Sequence, residues 1–174
     1  MKAAIVVMLF AAIAFAQEPS APAPAGSACG PLGVSFDTET SSAQPPTQPE
    51  PGKALVYVAE DFPTVQPNIG SPRIKVGLDG AWVGATHGSS YLFFQLDPGE
   101  HHLCIKWQSS LQRFSKLASF ARLNAEPGKT YYFRARLTFS SQWANEYLDL
   151  DPVDPDEGQY LVASSPFVTS HPRK

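Results

Sequence analysis

Five acidic side chains near the C-terminus are spaced closely enough in the sequence that several of them could bind one metal ion. They are Asp149, Asp151, Asp154, Asp156 and Glu157. Calcium is the cation that would suit them, because hard cations bind several carboxylate oxygens at once. The spacing does not fit an EF-hand loop, and two interspersed prolines restrict how the carboxylates converge. We therefore predict no metal site and no cofactor. The favoured interpretation of the acidic run is a strand end followed by a helix cap. A calcium site formed by Asp149, Asp151, Asp154 and Asp156 is the weaker alternative.

A second candidate site combines cations with an aromatic ring on one strand. Tyr132, Arg134 and Arg136 occupy alternate positions and therefore share one face. If this strand and the strand at 101–107 belong to one sheet, His102 and Lys106 extend the patch. Such a surface could hold a carboxylate or phosphate group. A solvated sheet face is the competing interpretation.

Two tryptophans near turns, Trp82 and Trp143, could form a platform on which a sugar ring stacks. Trp107 falls on the apolar face of its strand, so we expect it in the core. Together with Tyr132, Arg134 and Arg136, Trp82 and Trp143 are the candidate ligand-binding residues of the chain.

The pattern of histidines and serines does not indicate catalysis. His101 and His102 are adjacent in a strand and point to opposite faces, so they cannot readily bind one ion. No spacing matches a zinc site, a Gly-x-Ser-x-Gly turn or a glycine-rich phosphate loop. We predict no catalytic residues, and rank enzyme activity third among the functions considered.

The N-terminus has the features of a secretory signal peptide. Lys2 supplies a positive charge, residues 3–15 are apolar, and residues 14–16 suit cleavage after Ala16. The apolar stretch is shorter than the roughly 20 residues that span a bilayer, so we expect no transmembrane segment after cleavage. We predict a secreted or periplasmic protein. Lipidation at Cys29 is disfavoured, because a proline-rich stretch separates that residue from the apolar segment.

The net charge and the two cysteines indicate what the protein does not bind and how its chain is crosslinked. The net charge of −3 argues against nucleic-acid binding, which needs a positive excess. The two cysteines, Cys29 and Cys104, are the disulfide candidate in an oxidising compartment. Since Cys104 shares a strand face with His102 and Lys106, away from the core, a bridge would hold the N-terminal segment across the outside of a sheet.

Short apolar runs alternating with turns predict the fold. Residues 54–59 are apolar on both faces and read as a central strand, and Asp79-Gly80 is a two-residue hairpin signal. Further turns are predicted at 97–99 and 126–129. We predict an all-β, antiparallel β-sandwich of the immunoglobulin or transthyretin type with a short C-terminal helix.

The chain divides into four predicted parts. These are a signal peptide at 1–16, a proline-rich extension at 17–51 with a short strand at 33–40, the sandwich and its helix at 52–164, and a loose tail at 165–174. Asp154 followed by Pro155 predicts the helix start. We expect Tyr160, Leu161 and Ala163 to pack that helix onto a sheet.

Several segments, taken in order, resemble a bacterial domain-of-unknown-function family, numbered 2846, and are similar to PEGA-type surface modules. They are residues 53–58, 77–84, 96–103 and 125–134, the last matching the closing hairpin of the family. The resemblance covers residues 53 to about 151. It implies a small β-sandwich on an exported or envelope protein, and it implies no activity.

We therefore expect a non-catalytic module of the cell envelope with an interaction or structural role. Its partner would be an envelope protein, bound through an exposed strand face or a strand edge, or a surface glycan. The alternative is a small-ligand or glycan-binding protein that uses the exposed Trp and Arg residues.

Overall fold

The computed structural model describes residues 28–62, 71–139 and 146–173, and most of these residues lie in strands. The elements are β1 (Phe36–Thr40), β2 (Ala54–Asp61), β3 (Arg73–Leu78), β4 (Ala81–His87), β5 (Tyr91–Leu96), β6 (Gly99–Trp107), α1 (Gln112–Ser115), β7 (Ala118–Ala125), β8 (Thr130–Phe139), β9 (Glu146–Val153), α2 (Pro155–Ser164) and β10 (Val168–Pro172). The signal peptide, most of the proline-rich spacer and Trp143 lie outside the described residues.

Two four-stranded sheets pack face to face, which confirms the predicted all-β sandwich with a C-terminal helix. The first sheet has the order β5-β2-β8-β9 and the second the order β4-β3-β6-β7. Neighbouring strands are antiparallel except for β2 and β8, which run parallel. That parallel pair is the one departure from the predicted antiparallel pattern within the two sheets.

The turns have two different roles. Asp79 and Gly80 have φ angles of 49° and 87°, and they close the predicted hairpin between β3 and β4. The turn between β5 and β6 and the turn between β7 and β8 instead carry the chain from one sheet to the other. The segment expected to match a closing hairpin is therefore a connection between sheets.

The core lies between the sheets and depends on β2. Ala54, Val56 and Val58 are fully buried against the second sheet. Leu55 and Tyr57 point the other way, yet they are also buried, in a smaller apolar cluster on the outer face of the first sheet. The prediction of a central strand that is apolar on both faces is confirmed.

Helix α2 covers that outer face. Its N-cap is Asp154, whose side chain accepts hydrogen bonds from two backbone N–H groups of the first turn, as predicted. Leu161 and Val162 pack on the sheet, whereas Tyr160 is 71% exposed and Ala163 is also exposed. The expectation that Tyr160 and Ala163 dock was wrong, because Gly158 brings the other side of the helix against Tyr132.

The C-terminal residues are not a loose tail. Strand β10 pairs antiparallel with β1, and Arg173 forms an ion pair with Asp37 (2.5 Å) at the end of this ribbon. The Ser170 hydroxyl accepts a hydrogen bond from the backbone N–H of Ala85 in β4 (3.0 Å). The ribbon therefore packs beside the edge strand of the second sheet.

Candidate functional site

A disulfide joins Cys29 to Cys104, with 5.1 Å between the two Cα atoms. It holds residues 28–35, hereafter the strap, across the outer face of the second sheet. The Gly80 N–H donates to the carbonyl oxygen of Ala28 (3.2 Å), and a Cβ at Gly77 would lie 2.8 Å from that oxygen. The predicted pairing and its position on the outer face are both confirmed.

Trp82 lies under the strap. Its Nε1–H donates to the carbonyl oxygen of Pro31 (2.8 Å), and the Lys75 ammonium lies 4.2 Å from the ring centroid. A Cβ at Gly30 would be 2.5 Å from the ring, so the strap backbone touches the indole. Trp82 therefore packs against the strap and does not offer an open platform for a sugar.

The predicted arginine patch is used within the fold. Arg134 forms an ion pair with Glu157 of α2, and Arg136 pairs with Asp151 of β9 (3.5 Å). Tyr132 stacks on Tyr57 with ring centroids 5.3 Å apart. Strands β8 and β6 lie in different sheets, so these residues do not share a face with His102 and Lys106. The prediction that the patch extends to His102 and Lys106 was wrong.

The acidic run is divided among structural contacts. Asp154 caps α2, Asp151 and Glu157 face arginines, and Asp149 lies opposite Arg136 in the β8–β9 ladder. Within the described ranges, no three His, Cys, Asp or Glu side chains converge as a metal site would require.

The structure reveals a different candidate, which we call the cationic groove. It consists of two adjoining cavities of about 370 and 230 Å³ that share Trp107, Gln108 and Ser109. The larger cavity contains Arg73 and Arg113, and the smaller contains Lys75 and Lys106. Among the residues that the structure describes, no acidic side chain lines either cavity. This concentration of positive charge contrasts with the net charge of −3 of the whole chain.

The groove is shaped by the end of β6 and the segment that follows it. The Gln108 side chain accepts a hydrogen bond from the Phe36 N–H (2.7 Å) and donates to the Phe36 carbonyl oxygen (2.9 Å). Trp107 stacks on Phe114 of α1 with ring centroids 4.3 Å apart. These contacts fix the shared wall of both cavities.

The two arginines differ in their surroundings. Arg113 lies over the Phe114 ring and is 3.7 Å from the Glu146 carboxylate, with most of its side chain exposed. Arg73 donates to the Thr38 hydroxyl (3.4 Å) and has no carboxylate within 4.0 Å among the described residues. Burial, with a smaller contribution from the Arg73 charge, lowers the pKa of nearby His87. The Arg73 charge acts on the carboxylates of Asp37 and Glu60 without forming an ion pair with either, so its guanidinium can still pair with an acidic ligand.

A buried acid lies at the end of the core on β2. The Glu60 side chain is 2% exposed, and neither carboxylate oxygen has a hydrogen bond of normal geometry. Burial raises the pKa of Glu60 to about 8, and the Thr86 hydroxyl, the Gly88 amide and the Arg73 charge oppose this rise only in part. Glu60 lines neither cavity of the groove.

The groove was not among the sequence predictions, although part of the signal was visible. Arg73 and Lys75 alternate in one strand, and Lys106 shares the Cys104 face of another. Combining those faces with the predicted disulfide would have placed Lys75 or Lys106 beneath the strap. The pairing of β3 with β6, which brings them together, has no local sequence signal.

Scans against protein-family models, the curated proteins and the solved structures each found no match. The resemblance to the family numbered 2846 stays a prediction. In the part of the chain that the structure covers, no helix has the length and apolar character needed to cross a membrane.

Proposed function

We propose that this protein is an exported, non-catalytic β-sandwich module that binds an acidic segment of a partner protein in the cell envelope. The observation that carries the proposal is the cationic groove. Arg73, Lys75, Lys106 and Arg113 line two adjoining cavities that share one wall. Clustered cations in a cleft attract and orient carboxylates, because low-dielectric walls concentrate their field.

Export is supported by the N-terminus and by the cysteines. Residues 1–16 have the pattern of a cleavable signal peptide. The disulfide joins residues 75 positions apart and fixes the strap over the second sheet. Bridges of this structural kind persist in oxidising compartments and are rare in the cytosol.

The choice of an acidic protein segment over a neutral glycan rests on the use of the aromatic side chains. Trp82 packs against the strap and Lys75, and Trp107 is 4% exposed and stacked on Phe114. The groove instead offers charge, serine hydroxyls and the exposed Leu111 at the rim of the larger cavity. Such a surface suits carboxylates flanked by an apolar side chain.

The direct test uses a fluorescent peptide rich in glutamate and a matched peptide with glutamine at the same positions. We expect the acidic peptide alone to bind, with an affinity that falls as salt is added. Arg73→Gln together with Arg113→Gln should weaken binding about tenfold or more, since two charge-assisted contacts are lost. Arg122→Gln, which removes an exposed arginine outside both cavities, is the matched control.

Equal binding of both peptides, or equal losses in the groove and control variants, would contradict the proposal. Export is tested separately by fractionating the native host and measuring the mass of the mature protein. The expected product begins at Gln17 and carries an intact disulfide. A cytosolic product that retains Met1 would contradict export.

A further inference from the structure

Two lysines face each other across adjacent strands beneath the strap. Lys75 of β3 is the direct partner of Lys106 of β6 in the antiparallel ladder. Like charges at directly opposed positions destabilise a sheet, because their side chains lie on the same face only a few ångströms apart. Both residues line the smaller cavity of the groove, with strap residues opposite them.

Lys75 has lost most of its contact with water. It is 7% exposed, its ammonium donates to the carbonyl oxygen of Val34 (2.8 Å), and it lies over the Trp82 ring. Within the described residues, no carboxylate comes within 4.0 Å of it. Burial, reinforced by the Lys106 charge, lowers the pKa of Lys75. A buried cation without a counter-charge costs free energy that an anion in the cavity would offset.

The cavity has the size and donors for a small anion. Its volume of about 230 Å³ exceeds the roughly 30 Å³ that a water occupies in the liquid. Ser35 and Ser109 also line it and offer hydroxyl donors beside the two lysines, whereas the Ser115 hydroxyl donates to the Gln112 carbonyl oxygen (3.1 Å). The disulfide at Cys29 holds the strap that forms one wall.

We propose that the smaller cavity binds one phosphate group, with its charge shared between Lys75 and Lys106. A phosphate group carries roughly two negative charges near neutral pH, which matches a pair of cations better than a single carboxylate does. Strap residues form one wall of the site, so the site depends on the disulfide that holds them. This inference deepens the proposed function by naming the group bound at one end of the groove. It rests on the proposed function, because it assumes that the ligand of the groove is negatively charged.

The test measures thermal unfolding of the oxidised protein in inorganic phosphate, in acetate and in chloride at matched ionic strength. We expect phosphate to raise the melting temperature above its value in chloride, because a ligand that binds the folded state stabilises it. Acetate should have a much smaller effect. No rise in phosphate, or an equal rise in acetate, would overturn the proposal.

The variants are Lys75→Met and Lys106→Met, with Lys129→Met in an exposed turn as the control. Each groove variant should bind phosphate about tenfold or more weakly, as expected for the loss of one charged contact. The control should bind like the wild type. Lys106→Met keeps the buried Lys75 in place, so it still reports on the site if Lys75→Met perturbs folding. Unchanged phosphate binding in both groove variants would overturn the assignment.

The acidic-peptide experiment separates this inference from the proposed function. Peptide binding without a phosphate effect would overturn the phosphate site and leave the proposed function standing. A phosphate effect that both lysine variants remove, without peptide binding, would support the phosphate site and contradict the acidic protein partner.

Discussion

Arg134 of β8 and Glu157 of α2 form an ion pair that ties the C-terminal helix to the outer face of the first sheet. The pair is partly shielded from water, since the Arg134 side chain is 22% exposed. Glu157→Gln should lower the free energy of unfolding by about 1 kcal/mol, because a shielded pair is worth more than an exposed one. Urea denaturation measures this change. Asp151→Asn, in the more exposed pair with Arg136, should have the smaller effect.

Gly158 should respond to alanine in the opposite way from a typical helical glycine. In an exposed helix interior, Gly→Ala stabilises by about 1 kcal/mol. Here a Cβ would collide with the ring of Tyr132, so we expect Gly158→Ala to destabilise the protein and displace α2. The free energy of unfolding checks the sign. Gln159→Ala, at an exposed position of the same helix, should be nearly neutral. Stabilisation by Gly158→Ala would refute the close contact.

Removing the disulfide should cost stability without removing the sandwich. Cys29→Ser combined with Cys104→Ala frees the strap and should lower the free energy of unfolding by about 2–4 kcal/mol, through the entropy of the unfolded chain. Circular dichroism should retain its β-sheet signal. Because the strap also covers Trp82, the tryptophan emission should shift to longer wavelength. Reduced wild type should reproduce both changes.

Glu60 predicts how stability depends on pH. Its pKa is about 8 in the folded protein against an ordinary value of 4.5. Below pH 4.5 the carboxyl is protonated in both the folded and the unfolded chain, so Glu60 does not reduce the free energy of unfolding there. As pH rises from there, the unfolded chain loses the proton first and stability falls, until the folded protein also ionises near the higher value. Glu60→Gln should therefore flatten the decline of melting temperature between about pH 5 and pH 8. Glu126→Gln, at an exposed turn, should leave the wild-type decline unchanged.

Local chemistry made part of the fold predictable. Asp79 and Gly80 adopt the positive φ angles that their residue types favour, and Asp154 caps a helix that begins with proline. The disulfide also followed from counting two cysteines and assigning a strand face to one of them. The turn and the helix cap depend on residues close in sequence, and two cysteines allow only one intramolecular pairing.

The features that were not predicted depend on distant pairing. A turn such as the one before Gly99 specifies a bend, but not whether the strands on either side share a sheet. Strand β10 is a short polar segment whose partner β1 lies near the other end of the chain. The groove has the same origin, since Lys75 and Lys106 meet only because β3 pairs with β6.

The β1–β10 ribbon sets an order of events during biosynthesis. Asp37 pairs with Arg173, 136 positions later, so within the described part of the chain β1 gains its ladder partner only after β10 has been synthesised. The central strands and the Cys29–Cys104 crosslink can form before then. Pairing of β1 with β10 beside β4 is therefore a late step in folding. A protein truncated before Val168 would lack β10, and the buried Phe36 of β1 would become more exposed.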